Sequence, residues 1–472
     1  MVVGFQFERD IAFVTARRKD TTKNRLLPGD KPIHDWYRFV LAYPPHLVRQ
    51  YLIALEADPN RDWIFDPFSG IATTSVEARL QGFSTLSMDA NPISVLAAQV
   101  KLGWDIDLDR VEKQLHNVLE IARVCLDQIK LPDTTEAYIQ LDLFGSPKPS
   151  RFIEDSLSHC DDFFPDGMLS EEMLKLIPKG FISERPLQRV LALLYAIDKI
   201  NPAPDVRDFM RLALAHTIVS TAGNVGFGPE VYRTQPKEDA DVLGAFETTI
   251  TRMVFDLQTL LSTQTRPFPP AFVFEDDART LSALDGQPPI GIVITSPPYP
   301  NEKDYTRSTR LESVLLGLIA TKGALRNIKS GLLRSNTRNV YAKDDDDRYI
   351  QDIHSIVRLA DVIEEKRVKL GKTSGFERLY HRVTRLYFGG MYRHLAVLRP
   401  RLRPGARCAY VVGDQMSYFR IHIPTARLLA DVALKAGYQV EGIELWRTRP
   451  STVTGENIEE NVLILKVPDQ DG

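Results

Sequence analysis

The sequence predicts an α/β fold: a mixed seven-stranded sheet with a large helical insertion. Three observations carry that expectation. Short apolar runs ending in acidic residues alternate with segments of helical spacing, which is the pattern of parallel βαβ units. The run IGIVIT, residues 290–295, is apolar throughout, as a strand covered on both faces must be. Between the second expected strand and the third, roughly 160 residues carry amphipathic helical patterns, far too many for a loop.

Composition sets the outer limits. At 472 residues, 43% hydrophobic and 26% charged, the chain is a globular protein and neither disordered nor fibrous. Lysine plus arginine number 59 against 62 acidic residues, a net charge of −3, so a nucleic-acid surface must be a local patch. Cys125, Cys160 and Cys408 form no CxxC pair, which excludes a cysteine zinc site and a disulfide framework and fits a reducing cytoplasm. Charge interrupts the N-terminal stretch before a leader's apolar core can form, and no run of about 18 apolar residues occurs. A cytoplasmic protein that does not enter membranes is expected.

Residues 1–33, with a basic cluster at 17–25 and the turn LPGDKP, read as an N-terminal arm. Residues 34–105 form the first part of the α/β domain. The pair Pro44-Pro45 starts a helix, Trp63-Ile64-Phe65 is a strand ending at Asp66, IATTSVEARLQG is a helix closed by Gly82, and FSTLSMD is a second strand ending at Asp89. Residues 106–268 form the helical insertion, a candidate target-recognition domain. Residues 269–472 complete the α/β domain: FVFE and IGIVIT are strands three and four, followed by ARCAYVVG, YQVEGIELWR and NVLILKV, the last two a candidate antiparallel edge. A charged insertion spans 322–375. Its basic stretch and the four aspartates at 344–347 read as a solvated face and a mobile loop, since the aspartates lack the spacing and glycine of a calcium loop.

Two constellations carry chemistry. The first is DPFSG, Asp66, Pro67, Phe68, Ser69 and Gly70, where the first strand meets the ligand crevice of an open α/β sheet and a glycine lets a ligand approach the backbone. It is neither a P-loop nor GxGxxG, which argues against ATP phosphates and against a dinucleotide. Asp89, followed by Ala90 and Asn91, stands where a carboxylate accepts both hydroxyls of a ribose. A cofactor with a free ribose and no pyrophosphate fits; the competing reading is a plain strand-to-helix turn.

The second constellation is Ser296, Pro297, Pro298 and Tyr299, directly after the fourth strand. Two prolines hold the backbone extended, so the carbonyls of Ser296 and Pro297 stand as fixed acceptors for an exocyclic amine. Tyr299 offers a flat face for a base. The alternative is a proline-rich turn beside an edge tyrosine. Asn301, Lys303, Asp304, Tyr305 and Arg307 follow and are candidates for contacting the nucleotide, or a solvated turn. Arg447, Arg449 and the basic stretch are phosphate-contact candidates. GNVGFGPEVYR, residues 223–233, reads as a helix-linking turn, with a nucleic-acid-facing loop as the alternative. His34 and His46 read as structural.

Together DPFSG, MDANP, DDAR and TSPPY resemble the amino-methyltransferases of DNA that use S-adenosylmethionine, and the SPPY form resembles their N4-cytosine branch. The resemblance implies a Rossmann-like class I methyltransferase fold. It implies that Asp66 to Gly70 line the methionine side of the cofactor, that Tyr43 and Pro44 close over it, that Asp89, Ala90 and Asn91 hold the ribose side, and that Asp277 and Ala278 of DDAR hold the adenine. Ser296, Pro297, Pro298 and Tyr299 take the catalytic positions, with Asn301, Tyr305 and Arg307 on the substrate. The usual second glycine of the first motif is Ala72 here, which narrows the backbone approach.

The implied reaction is methyl transfer to N4 of cytosine in double-stranded DNA with the target base flipped, in a bacterial or phage-encoded cytoplasmic modification enzyme with a cognate restriction endonuclease as partner. Cytosine C5 chemistry needs a thiolate, usually after a proline, and none of the three cysteines follows one. Adenine N6 and RNA remain alternative targets, and a nucleic-acid-binding module on a degenerate scaffold is the non-enzymatic alternative.

Overall fold

The computed structural model describes residues 26–37, 42–131, 165–228, 230–301, 303–450, 455 and 457–469. The basic cluster of the expected arm and Cys160 lie outside the described residues. The central sheet has seven strands in the order β5-β2-β1-β6-β7-β9-β8. They are β1 (Trp63–Asp66), β2 (Thr85–Asp89), β5 (Ala271–Glu275), β6 (Ile290–Thr295), β7 (Leu402–Gly413), β8 (Gln439–Pro450) and β9 (Asn457–Lys466). β1 pairs in parallel with both β2 and β6, Phe65 lying opposite Leu86 on one side and Val293 on the other. The winding therefore reverses between β1 and β6, where an open α/β sheet leaves its crevice.

This is the mixed seven-stranded α/β sheet that the pattern predicts, and its plan is Rossmann-like, as the resemblance implies. One detail differs. β9 inserts between β7 and β8 and is antiparallel to both, so the last strand alone is reversed and β8 forms the edge. Spacing along the chain does not encode that return.

Alternation along the strands sends side chains to two covered faces. Phe65, Leu86, Met88, Val293 and Tyr410 pack with residues of helices His354–Lys369, Tyr380–Leu398 and Thr425–Lys435. Ile64, Ile292, Ile294 and Val411 pack against helix α1 (Pro45–Ala54) and Ala78 of α2 (Thr73–Leu80). Each large apolar side chain so buried contributes about 1.5–3 kcal/mol. Pro44 precedes α1 with Pro45 in its first turn, and Gly82 follows α2 at φ +89°, both as expected.

Helix α3 (Pro92–Leu102) leads into α4 (Leu108–Gln128), whose cap Asp107 accepts the Arg110 amide at 3.0 Å. Helices α5 (Glu184–Ile200), α6 (Pro204–Thr217) and α7 (Val242–Thr263) follow. Their apolar faces share one core with Ile71, Ala72 and Ile93, so the helices of 106–268 press directly on the elements that carry the first motif.

Two expectations are corrected. Residues 223–233 form no simple turn: β3 (Val225–Phe227) and β4 (Val231–Arg233) make an antiparallel ribbon. Glycine drives this, since Gly226 faces Tyr232 across the ribbon and a Cβ there would lie 2.5 Å from the tyrosine ring. The aspartate run is anchored, not mobile. Asp344 binds Arg334 at 2.8 Å, while Asp346, 3% exposed, accepts from Arg279 at 2.9 Å and Arg393 at 2.7 Å. The same pairing removes Arg334, and Lys329 bound to Asp304 at 2.7 Å, from the solvated basic face. Local charge pattern cannot report partners that lie 10 to 67 positions away.

Candidate functional site

The loops that follow β1 and β6 flank the crevice and line a cavity of about 270 Å³. Phe68, Ser69 and Gly70 form its wall on the β1 side, with Gly70 at φ +48°. Ala72, in the position of the usual second glycine, has φ +63°, a left-handed conformation that strains a non-glycine residue. Its side chain is buried in the core, so the cost of the departure is backbone strain.

Asp89, at the end of β2, secures this loop. Its Oδ2 accepts the Gly70 amide at 2.9 Å and its Oδ1 the Asn91 amide at 2.8 Å. Burial pushes its pKa up to about 6, opposed by those backbone hydrogen bonds. Asp89 lines the cavity, and an ionised carboxylate offers about four acceptor sites, so capacity for a ligand remains beside the backbone donors of Gly70, Asn91 and Ala90. Beside it, the buried Ser69 Oγ has no hydrogen-bond partner among the described residues. An unsatisfied buried hydroxyl is costly unless a ligand supplies the partner.

Asp66 stands one layer behind, 1% exposed and outside the cavity lining. It accepts from Thr295 Oγ1 at 2.6 Å, the Phe68 amide at 3.1 Å and Tyr43 Oη at 3.0 Å; Tyr43 also bonds Thr74. One carboxylate thus ties the end of β1, the end of β6 and the segment entering α1. Burial raises its pKa to about 6 against these donors. Pro44 and Arg307 likewise lie outside the lining; Arg307 instead pairs with Glu230 at 3.1 Å.

On the β6 side, Ser296, Pro297, Pro298 and Tyr299 all line the cavity, with Ser296 Oγ 3.3 Å from Tyr299 Oη. Gly413 backs the tyrosine ring, for a Cβ there would stand 3.1 Å from Cε2. Burial raises the Tyr299 pKa, so its hydroxyl stays protonated. Asn301, Lys303 and Tyr305 continue the lining. Asp304 does not belong to it; its carboxylate caps Thr306 and holds Lys329.

Asp277 and Ala278 close the end nearest β5, where Arg279 grips Asp277 (Nη2 to Oδ2, 2.6 Å) and His394 Nδ1 stands 2.8 Å from the Ala278 carbonyl oxygen. Ala90 and Asn91 complete the Asp89 side. Every candidate cofactor, base or nucleotide position in and directly after the two motifs, apart from Pro44, Asp66, Asp304 and Arg307, converges on one cavity.

No family model matches the chain. It is similar to the Type II methyltransferase M.BsoBI of Geobacillus stearothermophilus, 24% identical over 432 residues that cover 87% of this chain and 79% of the relative. A shorter stretch of 117 residues, 25% of this chain and 20% of the relative, is 29% identical to the Type II methyltransferase M.MjaII of Methanocaldococcus jannaschii. These likenesses support the methyltransferase family.

Part of the cavity is unannounced by motif. Ser335, Asn336 and Asn339 reach it from a short 3-10 turn, and Asn336 Nδ2 donates to the Lys303 carbonyl at 2.9 Å. Trp446 and Glu460 enter from β8 and β9, Glu460 binding both Arg447 and Arg449. The only local signal was polarity without periodicity in SNTRN, and it named no partner. His34 lies outside the lining, buried 3.5 Å from Glu77.

Proposed function

We propose that this chain is a DNA methyltransferase that uses S-adenosylmethionine and modifies the N4 amine of cytosine. The observation that carries the reading is the meeting of two loops in one cavity: a ribose-competent carboxylate and an unsatisfied Ser69 hydroxyl on the β1–β2 side, and Ser-Pro-Pro-Tyr on the β6 side. The residues fit that cofactor. Gly70 leaves space, with nothing within 4 Å of a would-be Cβ, and Asp89, Asp277 and Ser69 supply polar partners.

When bound, the cofactor supplies an activated methyl group on a sulfonium. The chain's part is to hold the amine. The carbonyls of Ser296 and Pro297 accept the two amine hydrogens, which raises electron density on nitrogen and aligns it for in-line attack; the N–C bond would form as the methyl's bond to sulfur breaks, with sulfur leaving as a neutral thioether and one amine proton passing to solvent, so no protein nucleophile is required. Tyr299 stacks on the base. A duplex hides the amine, so the base is extruded at a cost of a few kcal/mol, repaid in part by that stacking. The serine heading the loop, with no acidic or amide side chain there, supports cytosine over adenine. Two Type II methyltransferase relatives support a place in restriction–modification, and a cognate endonuclease is part of the same proposal.

Tyr299→Ala tests the loop's role. Turnover is expected to fall at least tenfold while cofactor affinity holds within twofold, measured by radiolabel transfer and equilibrium titration. Unchanged turnover would remove Tyr299 from the base site.

A further inference from the structure

The β3–β4 ribbon has features that packing does not explain. Its root is rigid. Buried Asn224 donates to Ser183 Oγ at 3.0 Å and accepts the Lys237 amide at 3.0 Å, and Lys237 Nζ caps the carbonyls of Thr221 and Gly223. Beyond that root, the ribbon presents aromatic surface to solvent. Phe227 is 37% exposed, and Tyr232 is 53% exposed although its ring is pinned across Gly226.

Five aromatic side chains are well exposed among the described residues: Phe227, Tyr232, Phe255, Phe272 and Phe376. Three of them gather here, because Phe376 lies under the Arg338 guanidinium at 5.9 Å, and Arg338 reaches Glu230 of the ribbon at 3.4 Å. Glu230 also holds Arg307 at 3.1 Å.

These two arginines fix where the ribbon stands. Arg307 is two residues beyond Tyr305 and Arg338 two beyond Asn336, and both Tyr305 and Asn336 line the cavity. Arg233, exposed at the end of β4 with its side chain over Gly180, adds a third guanidinium that no carboxylate among the described residues pairs, on a chain whose net charge is −3. Exposed flat rings among surplus arginines, at the rim where the target base enters, match the chemistry of nucleic acid: rings against bases and sugars, guanidinium groups on phosphates.

We propose that the β3–β4 ribbon, with Phe227 and Tyr232 as contact residues and Arg233, Arg307 and Arg338 as phosphate partners, is the surface this chain lays on duplex DNA beside the extruded base. It rests on the reading of the chain as a DNA methyltransferase. It also gives residues 106–268 a substrate-facing element, where the helices around it are occupied with core packing.

The test compares the full-length protein with Phe227→Ala, the Phe227→Ala/Tyr232→Ala pair and Arg233→Gln, using a fluorescent duplex carrying the methylated site. Duplex Kd and the KM for DNA are expected to rise roughly tenfold or more in the pair, from lost stacking. Arg233→Gln is expected to lower the slope of log Kd against log salt by about one. Cofactor affinity and melting temperature are expected to match wild type, since these side chains are solvent-exposed. A wild-type protein that methylates DNA alongside a double variant that binds and methylates equally well overturns the ribbon assignment alone. A wild-type protein that neither binds nor methylates any duplex overturns it together with the DNA reading.

Discussion

Asp89→Asn probes the cofactor side of the site most sharply. In the structure its carboxylate already accepts the amides of Gly70 at 2.9 Å and Asn91 at 2.8 Å, and it lines the cavity. A hydrogen bond to a charged group contributes about 1.5–3 kcal/mol. Asparagine keeps the shape, loses the charge and sets an NH₂ group against one of those amides. The loss of one such bond corresponds to a cofactor Kd about 10- to 100-fold weaker.

The wild-type protein carries its own control. Burial holds the free-protein pKa of Asp89 up to about 6, and only the ionised form offers two charged acceptors. Above pH 6 the affinity is therefore flat; below it, protons compete with the ribose, and Kd rises by up to tenfold per pH unit. Isothermal titration of S-adenosylmethionine from pH 5 to 8 reads both effects. A wild-type affinity that does not change across this range, or an asparagine variant that binds as tightly as wild type, would refute the assignment of Asp89 to the ribose.

Two further outcomes concern the frame. Arg279 is buried and bonds Asp277, Asp346 and the Ser330 carbonyl, so Arg279→Met leaves Asp346 short of one cation and is expected to cost about 3–5 kcal/mol in urea unfolding; a loss under about 1 kcal/mol would show that Arg393 alone suffices. Glu312 is buried with Tyr37 Oη donating at 2.5 Å, and burial lifts its pKa to about 7 against that hydroxyl. Its folded pKa exceeds the unfolded one, so the folded state holds the extra proton between about pH 4.5 and 7 and stability falls as pH rises through that window, by about 3 kcal/mol for this group. Glu312→Gln removes that component, and denaturation at pH 5.5 and 8 is expected to show the wild type losing more than the variant; parallel losses would exclude it.

The parts of the fold legible from sequence were those written in local pattern. β1, β2 and β6 declare themselves by apolar runs that end at a ligand-facing loop, and Asp89 and Ser296 lie where such strands end. What escaped depends on contacts between distant segments. The return of β9 between β7 and β8 leaves no trace in spacing. The glycines at 226 and 228 read as breakers because the ring they accommodate, Tyr232, lies on the opposite strand. Asp346 looked like one of four solvated acids until Arg279 and Arg393 closed on it. Asp66 was read as a ligand contact, and three donors from three segments hold it behind the cavity wall. Asn336 and Asn339 had no motif to name them; tertiary folding alone carries them to the cavity.

The central claim is the identity of the methylated atom. Incubating the purified chain with methyl-labelled S-adenosylmethionine and mixed genomic DNA, digesting to nucleosides and separating them by mass spectrometry reads it directly. Label in N4-methylcytosine is the predicted result. Label in N6-methyladenine would contradict the assignment of Ser296 to a cytosine site, and absence of label from every nucleoside would contradict the enzyme reading itself.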